Sequence, residues 1–270
     1  MKKTIGFSLF YILICVFPMQ LFAAKILYYV DTAVIGKDSV AQALQELSST
    51  HEYVISGTKD EFENELMQNS YDLVILSLQD KKRSTLDFPA FVEYVNSNGK
   101  VIFSDANMDE SFASLLGFSY ATSVNQTSIN ITDIDLKKGM DENPFSLYNP
   151  GYITWSMGLT PAERTMALFS NGEAAIIMTS ENITINGYLV DTLSQPSSLA
   201  KRFTRASIAS ASTLVKNTIS YTLNPPQRAP SVVGVPLSPY AKTALVLLFA
   251  LSGMIAIGRN SKNTLQRRQS

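Results

Sequence analysis

The stretch Gly99-Lys100-Val101-Ile102-Phe103-Ser104-Asp105-Ala106-Asn107 decides the fold. It reads as a buried strand that runs into a polar turn and then a helix. Val101, Ile102 and Phe103 are continuously apolar, the pattern of a parallel strand covered on both faces. In an open α/β sheet, ligands bind outside such a strand end, and a nucleophile would sit on the turn. This turn offers Ser104, Asp105 and Asn107, with neither a cysteine nor a nearby histidine. The fold signal is much stronger than the chemical one.

The same alternation extends on both sides. Residues 26–30 form an apolar run ending at Asp31, and residues 39–47 carry Val40, Ala43, Leu44 and Leu47 at helical spacing. Tyr53-Val54-Ile55 is a short strand closed by Ser56-Gly57. Residues 60–68 read as an acidic amphipathic helix with Phe62, Leu66 and Met67 inward. Residues 73–76 are a continuous apolar strand. Residues 88–96 form a helix with Phe88, Phe91, Val92 and Val95 inward, ended by Asn98-Gly99. Residues 109–116 form another, with Asp109 or Met108 near its cap and Gly117 at its stop. Four βα units in succession predict an α/β fold with a parallel, doubly wound sheet.

After Tyr120 the style changes. Residues 128–134 alternate and read as an edge strand. Residues 143–150 read as loop, and residues 151–158 as a strand with the only tryptophan, Trp155. Residues 165–169 and 174–179 flank Ser170-Asn171-Gly172, a type I′ hairpin signal. Residues 183–190 give one more extended run, and Pro196 opens a last helix predicted over 197–214. This half reads as an antiparallel extension of the same sheet, without a repeat of 20–50 residues.

The two ends carry targeting patterns. Residues 1–24 have the three parts of a secretory signal: Lys2 and Lys3, an apolar segment over 5–17, then Leu21-Phe22-Ala23-Ala24 for cleavage. A retained anchor is the competing reading, although the apolar run is short for a span. After the body, residues 25–223, five prolines fall within 224–240 and predict an extended linker. Residues 241–258 are almost wholly apolar. As a helix they would be about 27 Å long, enough to cross a bilayer with Lys242 and Arg259 snorkelling. Arg259, Lys262, Arg267 and Arg268, in the tail 259–270, act as a membrane stop. The topology rule for basic residues then places the body outside and the tail inside.

Charge and residue inventory exclude several functions. The chain carries −1 overall, yet all 23 acidic residues lie between Asp31 and Asp191. The body holds 14 basic residues against those 23, a net charge of −9. Such a body repels phosphate backbones, so no nucleic-acid partner is expected. Cys15, the single cysteine, lies in the leader, so the mature chain has no thiol for a disulfide, a metal or catalysis. With His51 the only histidine, a multi-histidine metal site is impossible. No cofactor is expected.

Two family resemblances follow from these residues. Val235-Pro236-Leu237-Ser238-Pro239-Tyr240, the apolar run and the arginine-rich end together resemble the bacterial PEP-CTERM sorting signals, most nearly the IPTL-CTERM type. The usual Thr is missing here, and Tyr240 stands where a Trp is usual. The resemblance implies recognition by an exosortase-like membrane protease, after the secretion translocon and signal peptidase have acted. A simple anchor in the lipid bilayer is the alternative. The body resembles the class I glutamine amidotransferase-like fold, including its noncatalytic envelope relatives. The resemblance rests on element order, the Asp133…Leu136-Lys137-Lys138-Gly139-Met140 segment and the Asn171-Gly172 hairpin. A catalytic member would carry Gly-x-Cys-x-Gly at the turn and a later His-x-Glu pair. This chain has Ser104-Asp105-Ala106-Asn107 and no downstream histidine, so the activity does not carry over.

What chemistry remains collects at the predicted strand ends: Asp31 with Thr32, Ser77, Gln79 and Asp80, and Ser104, Asp105 and Asn107. These ends share one rim and could line a ligand crevice. Asp80 and Asp105 could act as acid and base in a hydrolase, or the same groups could cap helices and solvate loops. Hard-cation binding by Asp31, Asp80 and Asp105 has no supporting spacing. Asp60, Glu61, Glu63 and Glu65 read as a solvated helix face. Trp155, Tyr148 and Tyr152 could stack on a sugar or close a core edge. His51 reads as a surface residue. The resulting expectation is a noncatalytic binding or scaffold protein of the cell envelope on a cleavable membrane tether. The alternative is an exported hydrolase using rim carboxylates.

Overall fold

A computed structural model describes residues 23–31, 38–79, 82–124, 126, 128–147, 156–160, 164–189 and 205–226. The chain divides into two compact units, Met1–Pro225 and Pro226–Ser270, and the fold described here is that of the first. The signal segment up to residue 22, most of the linker, the sorting motif, the apolar run and the basic tail lie outside the described residues. Thr32, Asp80, Tyr148, Tyr152 and Trp155 lie outside them too.

Among the described residues, eleven strands form one mixed sheet. Strands β1 (Lys25–Val30), β2 (Glu52–Ser56), β3 (Leu73–Leu78), β4 (Val101–Asp105) and β11 (Ile183–Asn186) are parallel, in the order β2-β1-β3-β4-β11. The sheet continues antiparallel through β10 (Ala174–Ser180), β9 (Arg164–Phe169), β6 (Ser128–Ile131) and β7 (Phe145–Ser146). A branch leaves β10 through β8 (Ser156–Leu159) to β5 (Tyr120–Val124). This is the expected parallel sheet with its antiparallel extension.

Both faces are covered. On one, Ile26, Tyr28, Leu73 and Ile75 pack with Val40, Ala43 and Leu44 of helix α1 (Ser39–Leu47) and with Leu214 and Ile219 of the last helix. On the other, Leu27, Val74, Leu76 and Phe103 meet Phe62 of α2 (Lys59–Gln68), Phe91 of α3 (Pro89–Asn96) and Phe112 of α4 (Glu110–Leu116). The aromatic rings run as a chain, with Phe62–Phe88 centroids 6.0 Å apart, Phe88–Phe112 5.8 Å and Phe103–Phe112 5.1 Å. Each such ring contributes roughly 1.5–3 kcal/mol by leaving water.

The caps explain where the helices start. Asp38 accepts the Val40 and Ala41 N–H groups at 3.0 and 2.8 Å at the head of α1. Thr58 and Glu61 close a reciprocal capping box on α2. Asp109 caps α4, and Gly117 stops it in the left-handed conformation, φ 73°. Asp133 caps the short α5 (Ile134–Lys137) and pairs with Arg164. The terminal helix α6 covers Arg205–Leu223, and Lys100 Nζ donates to the Leu223 carbonyl at its end.

Several expectations need correction. The last helix ends at Leu223 and not at residue 214, while residues 197–204 lie outside the described residues. Its buried face is built from hydroxyl residues as well as apolar ones, so its helical period is weak in the sequence. The 128–134 strand is interior, because β7 pairs outside it. The hairpin at 170–172 is not type I′. Gly172 N–H donates to Phe169 O at 3.0 Å and Phe169 N–H to Glu173 O at 2.8 Å, with φ positive at Gly172 (88°) but not at Asn171. That is a three-residue loop, a type I turn followed by a left-handed glycine. On α2, Met67 is 67% exposed while Glu63 is only 7% exposed. The acidic run is thus not one solvated face.

Candidate functional site

The C-terminal ends of β1, β3 and β4 form one rim, as their parallel pairing requires. Asp31 ties two of these ends together. Its N–H donates to Ser77 O at 3.2 Å, and its Oδ1 accepts the Gln79 N–H at 2.7 Å. Ser77 and Ser104 are register partners on β3 and β4, and Ser104 Oγ donates to Ser77 Oγ at 3.2 Å. Ser77, Gln79 and Ser104 are each 1% exposed, so this part of the rim is held within the protein. Asn107 is half-buried on the turn after β4.

Asp105 is the centre of that turn. It is 2% exposed. Oδ1 accepts the Asn107 N–H at 2.8 Å. Oδ2 accepts the Asp109 N–H at 2.8 Å and the Tyr120 hydroxyl at 3.3 Å. The turn needs such a brace, because Met108 stands in the left-handed region at φ 54°, where a side chain is strained. Asp109 then repeats the motif one step on: its Oδ1 accepts the Ser111 N–H at 2.9 Å, and Ser111 Oγ accepts the Thr85 N–H at 3.0 Å. The rim carboxylates therefore fold the loop that carries them.

Burial pushes the Asp105 carboxyl above the usual carboxylate range, against the pull of its two backbone N–H donors. Tyr120 is pushed up as well, first by burial and then by the negative charge of Asp105. On β1, burial and then Asp31 raise Tyr29, while the Arg83 guanidinium opposes them. The arrangement keeps Tyr120 neutral as a hydrogen-bond donor to Asp105.

Tyr120, Arg83, Asp109 and Ser111 were not named as site residues by the sequence. The Asp105-x-x-x-Asp109-x-Ser111 spacing was a readable signal for nested caps, whereas Tyr120 arrives from a strand with no local motif. The structure brings Asp31, Ser77, Gln79, Ser104, Asp105 and Asn107 to one rim. Asp80, the suggested partner of Asp105, lies outside the described residues. Among the described residues no group of three or more His, Asp or Glu side chains could hold a metal ion. His51 sits at the opposite end of the sheet, where its Nδ1 accepts the Ala24 N–H at 3.2 Å.

A second carboxylate outside the rim was also misread. Glu63 on α2 reaches the head of α3, where Oε2 accepts the Ala90 N–H at 2.7 Å and Oε1 the Phe91 N–H at 3.3 Å. Phe88, the residue before α3, provides no side-chain cap of its own, and Pro89 has no N–H to satisfy. Glu63 thus caps one helix from another.

No family model matches the chain, and no curated protein matches it. Several solved structures are similar to this chain. A glutamine amidotransferase from Thermotoga maritima is 8% identical, with 74% of this chain and 98% of that one covered and a TM-score of 0.48. A glutamine amidotransferase from Methylobacillus flagellatus is 6% identical over 74% and 94%, with a TM-score of 0.46. The N-terminal domain of mmIFT52 is 9% identical over 76% and 99%, with a TM-score of 0.43. Identities of this size transfer no residue's role to this chain.

Proposed function

We propose that this chain is a noncatalytic binding or scaffold protein of the bacterial cell envelope, exported and held at the inner membrane by its C-terminal segment. The observation that supports the noncatalytic reading is the commitment of Asp105. Its carboxylate is almost fully buried and satisfied by two loop N–H groups and a tyrosine hydroxyl. A carboxylate that acts on substrate needs a lone pair or a proton directed at the substrate.

Export rests on the sequence of residues 1–24 and tethering on that of 224–270. Among the described residues no helix is long and apolar enough to cross a membrane; the apolar run 241–258 lies outside them. The proposed partners are the secretion translocon, signal peptidase, the lipid bilayer and an exosortase-like protease that reads Val235–Tyr240. Proline-rich backbone there would favour an extended shape that a protease cleft accepts. Mature protein from the native cell should then lack residues 244–270 by mass spectrometry. An intact Ser270 end in the exported pool would leave only the anchor reading.

The competing hydrolase reading draws on one observation, the raised Asp105 carboxyl beside Tyr120. A turnover screen of the purified full chain on glycosides, esters and amides separates the two. No turnover is expected. Turnover that Asp105→Asn abolishes in a folded protein would overturn the noncatalytic reading.

A further inference from the structure

The face of β11 that meets α6 is polar inside an otherwise apolar layer. Thr184 is fully buried and Asn186 is 5% exposed on the strand. Thr218 and Thr222 face them from the helix, 3% and 0% exposed. Hydroxyl geometry orders most of this seam. Thr222 Oγ1 donates to the Thr218 carbonyl at 2.9 Å, so the 2.8 Å contact between Thr184 and Thr222 has Thr184 as donor. Thr218 Oγ1 donates to the Leu214 carbonyl at 2.8 Å, which leaves its oxygen lone pairs unused by that bond.

One group does not close. Asn186 Oδ1 is buried and has no hydrogen-bond partner. Leaving such an acceptor dry disfavours the fold, because the oxygen gives up its bond to water and gains none in return. The same asparagine lines a cavity shared with Tyr188 and Thr218, otherwise walled by aliphatic side chains of the sheet, α1 and α6. The cavity measures about 10 Å³ to the centre of a water-sized sphere, room for one water molecule.

We propose that this cavity is a binding site for one ordered water, which donates to Asn186 Oδ1 and is shared with Thr218. The water completes the polar seam between β11 and α6. It fixes where the terminal helix of the body sits, because an apolar face alone would let the helix slide by a turn without leaving a polar group unpaired. The ligand is water alone, since the volume admits nothing larger and, among the described residues, the polar groups lining the cavity are those of Asn186, Tyr188 and Thr218.

A high-resolution crystal structure of the full chain tests the site. Density for a water within hydrogen-bond distance of Asn186 Oδ1 is expected. An empty cavity, or an Asn186 amide turned onto a protein donor, would overturn the proposal. In solution, Asn186→Leu and Thr218→Val are compared singly and together by equilibrium unfolding. A shared water couples the two side chains, so the double variant's unfolding constant should depart at least about fivefold from the product of the single effects. Agreement with that product within about twofold would contradict a bridging water.

Discussion

Replacing Glu63 with alanine should cost far more than an exposed acidic residue on a helix would. Glu63 is 7% exposed, and it supplies both acceptors for the first two N–H groups of α3. Loss of a side-chain cap costs about 1 kcal/mol, up to about 2 in a protein interior. The alanine also leaves space beside Phe62 and Phe91, and two N–H groups without acceptors, so the total is about 2–3 kcal/mol. For a domain of this size that lowers the unfolding temperature by roughly 5–10 °C. Glu63→Gln keeps an oxygen in place and removes a charge that burial disfavours, since the Glu63 carboxyl lies above its ordinary range for that reason. It should therefore stay within about 1 kcal/mol of the parent. Urea unfolding of the three proteins, followed by far-UV circular dichroism, measures both differences. An alanine variant within about 0.5 kcal/mol of the parent, the size of an ordinary surface change, would refute the cross-helix cap.

Three further outcomes are expected. Burial raises the carboxyls of Asp38, Glu63 and Asp105, so the folded chain holds these protons more tightly than the unfolded one. Their contribution to stability is complete below the ordinary carboxylate range near 4 and is lost as pH rises through the raised folded values. Urea midpoints should fall as pH rises above the ordinary carboxylate range, less steeply in Asp38→Asn, and an equally steep fall in that variant would count against the assignment. Gly172→Ala should cost about 1–2 kcal/mol through its left-handed φ of 88°, although no atom lies within 4 Å of the added carbon; an unchanged midpoint would contradict the loop geometry. Reporter fusions at Asn224 and Ser270 should be active in the periplasm and the cytoplasm respectively, and cytoplasmic activity at Asn224 would reject the proposed topology.

The parallel half of the fold was legible because it obeys local rules. Runs such as residues 73–76 are apolar throughout since both sheet faces are covered, and Asp38, Thr58 and Asp109 mark helix starts within their own turns. The antiparallel half was less legible because pairing there is set at a distance. Ile183–Asn186 shows nothing in its residues that places it beside β4, yet Ile183 pairs with Val101. The end of the last helix was set too early because Thr218 and Thr222 return their hydroxyls to the helix's own carbonyls, which hides a helical face under strand-like residues. At the rim, the strand-end rule located the residues but not their roles. Asp105 and Glu63 look alike in composition to exposed acids. For Asp105 the spacing to Asp109 hints at a cap, whereas for Glu63 only the fold shows that it is spent on the N–H groups of another helix.

The proposed role of Asp105 as the brace of its own loop is decided by the stability of Asp105→Ala. A reacting group is commonly held at some expense to the fold, so its removal tends to leave stability unchanged or raised. A group that braces a turn does the opposite. Alanine at this position frees the Asn107 and Asp109 N–H groups and the Tyr120 hydroxyl, and leaves Met108 at φ 54° without its brace. At about 1 kcal/mol for each lost bond, equilibrium unfolding at neutral pH should show a loss of about 2–3 kcal/mol. A variant as stable as the parent, or more stable, would contradict the account.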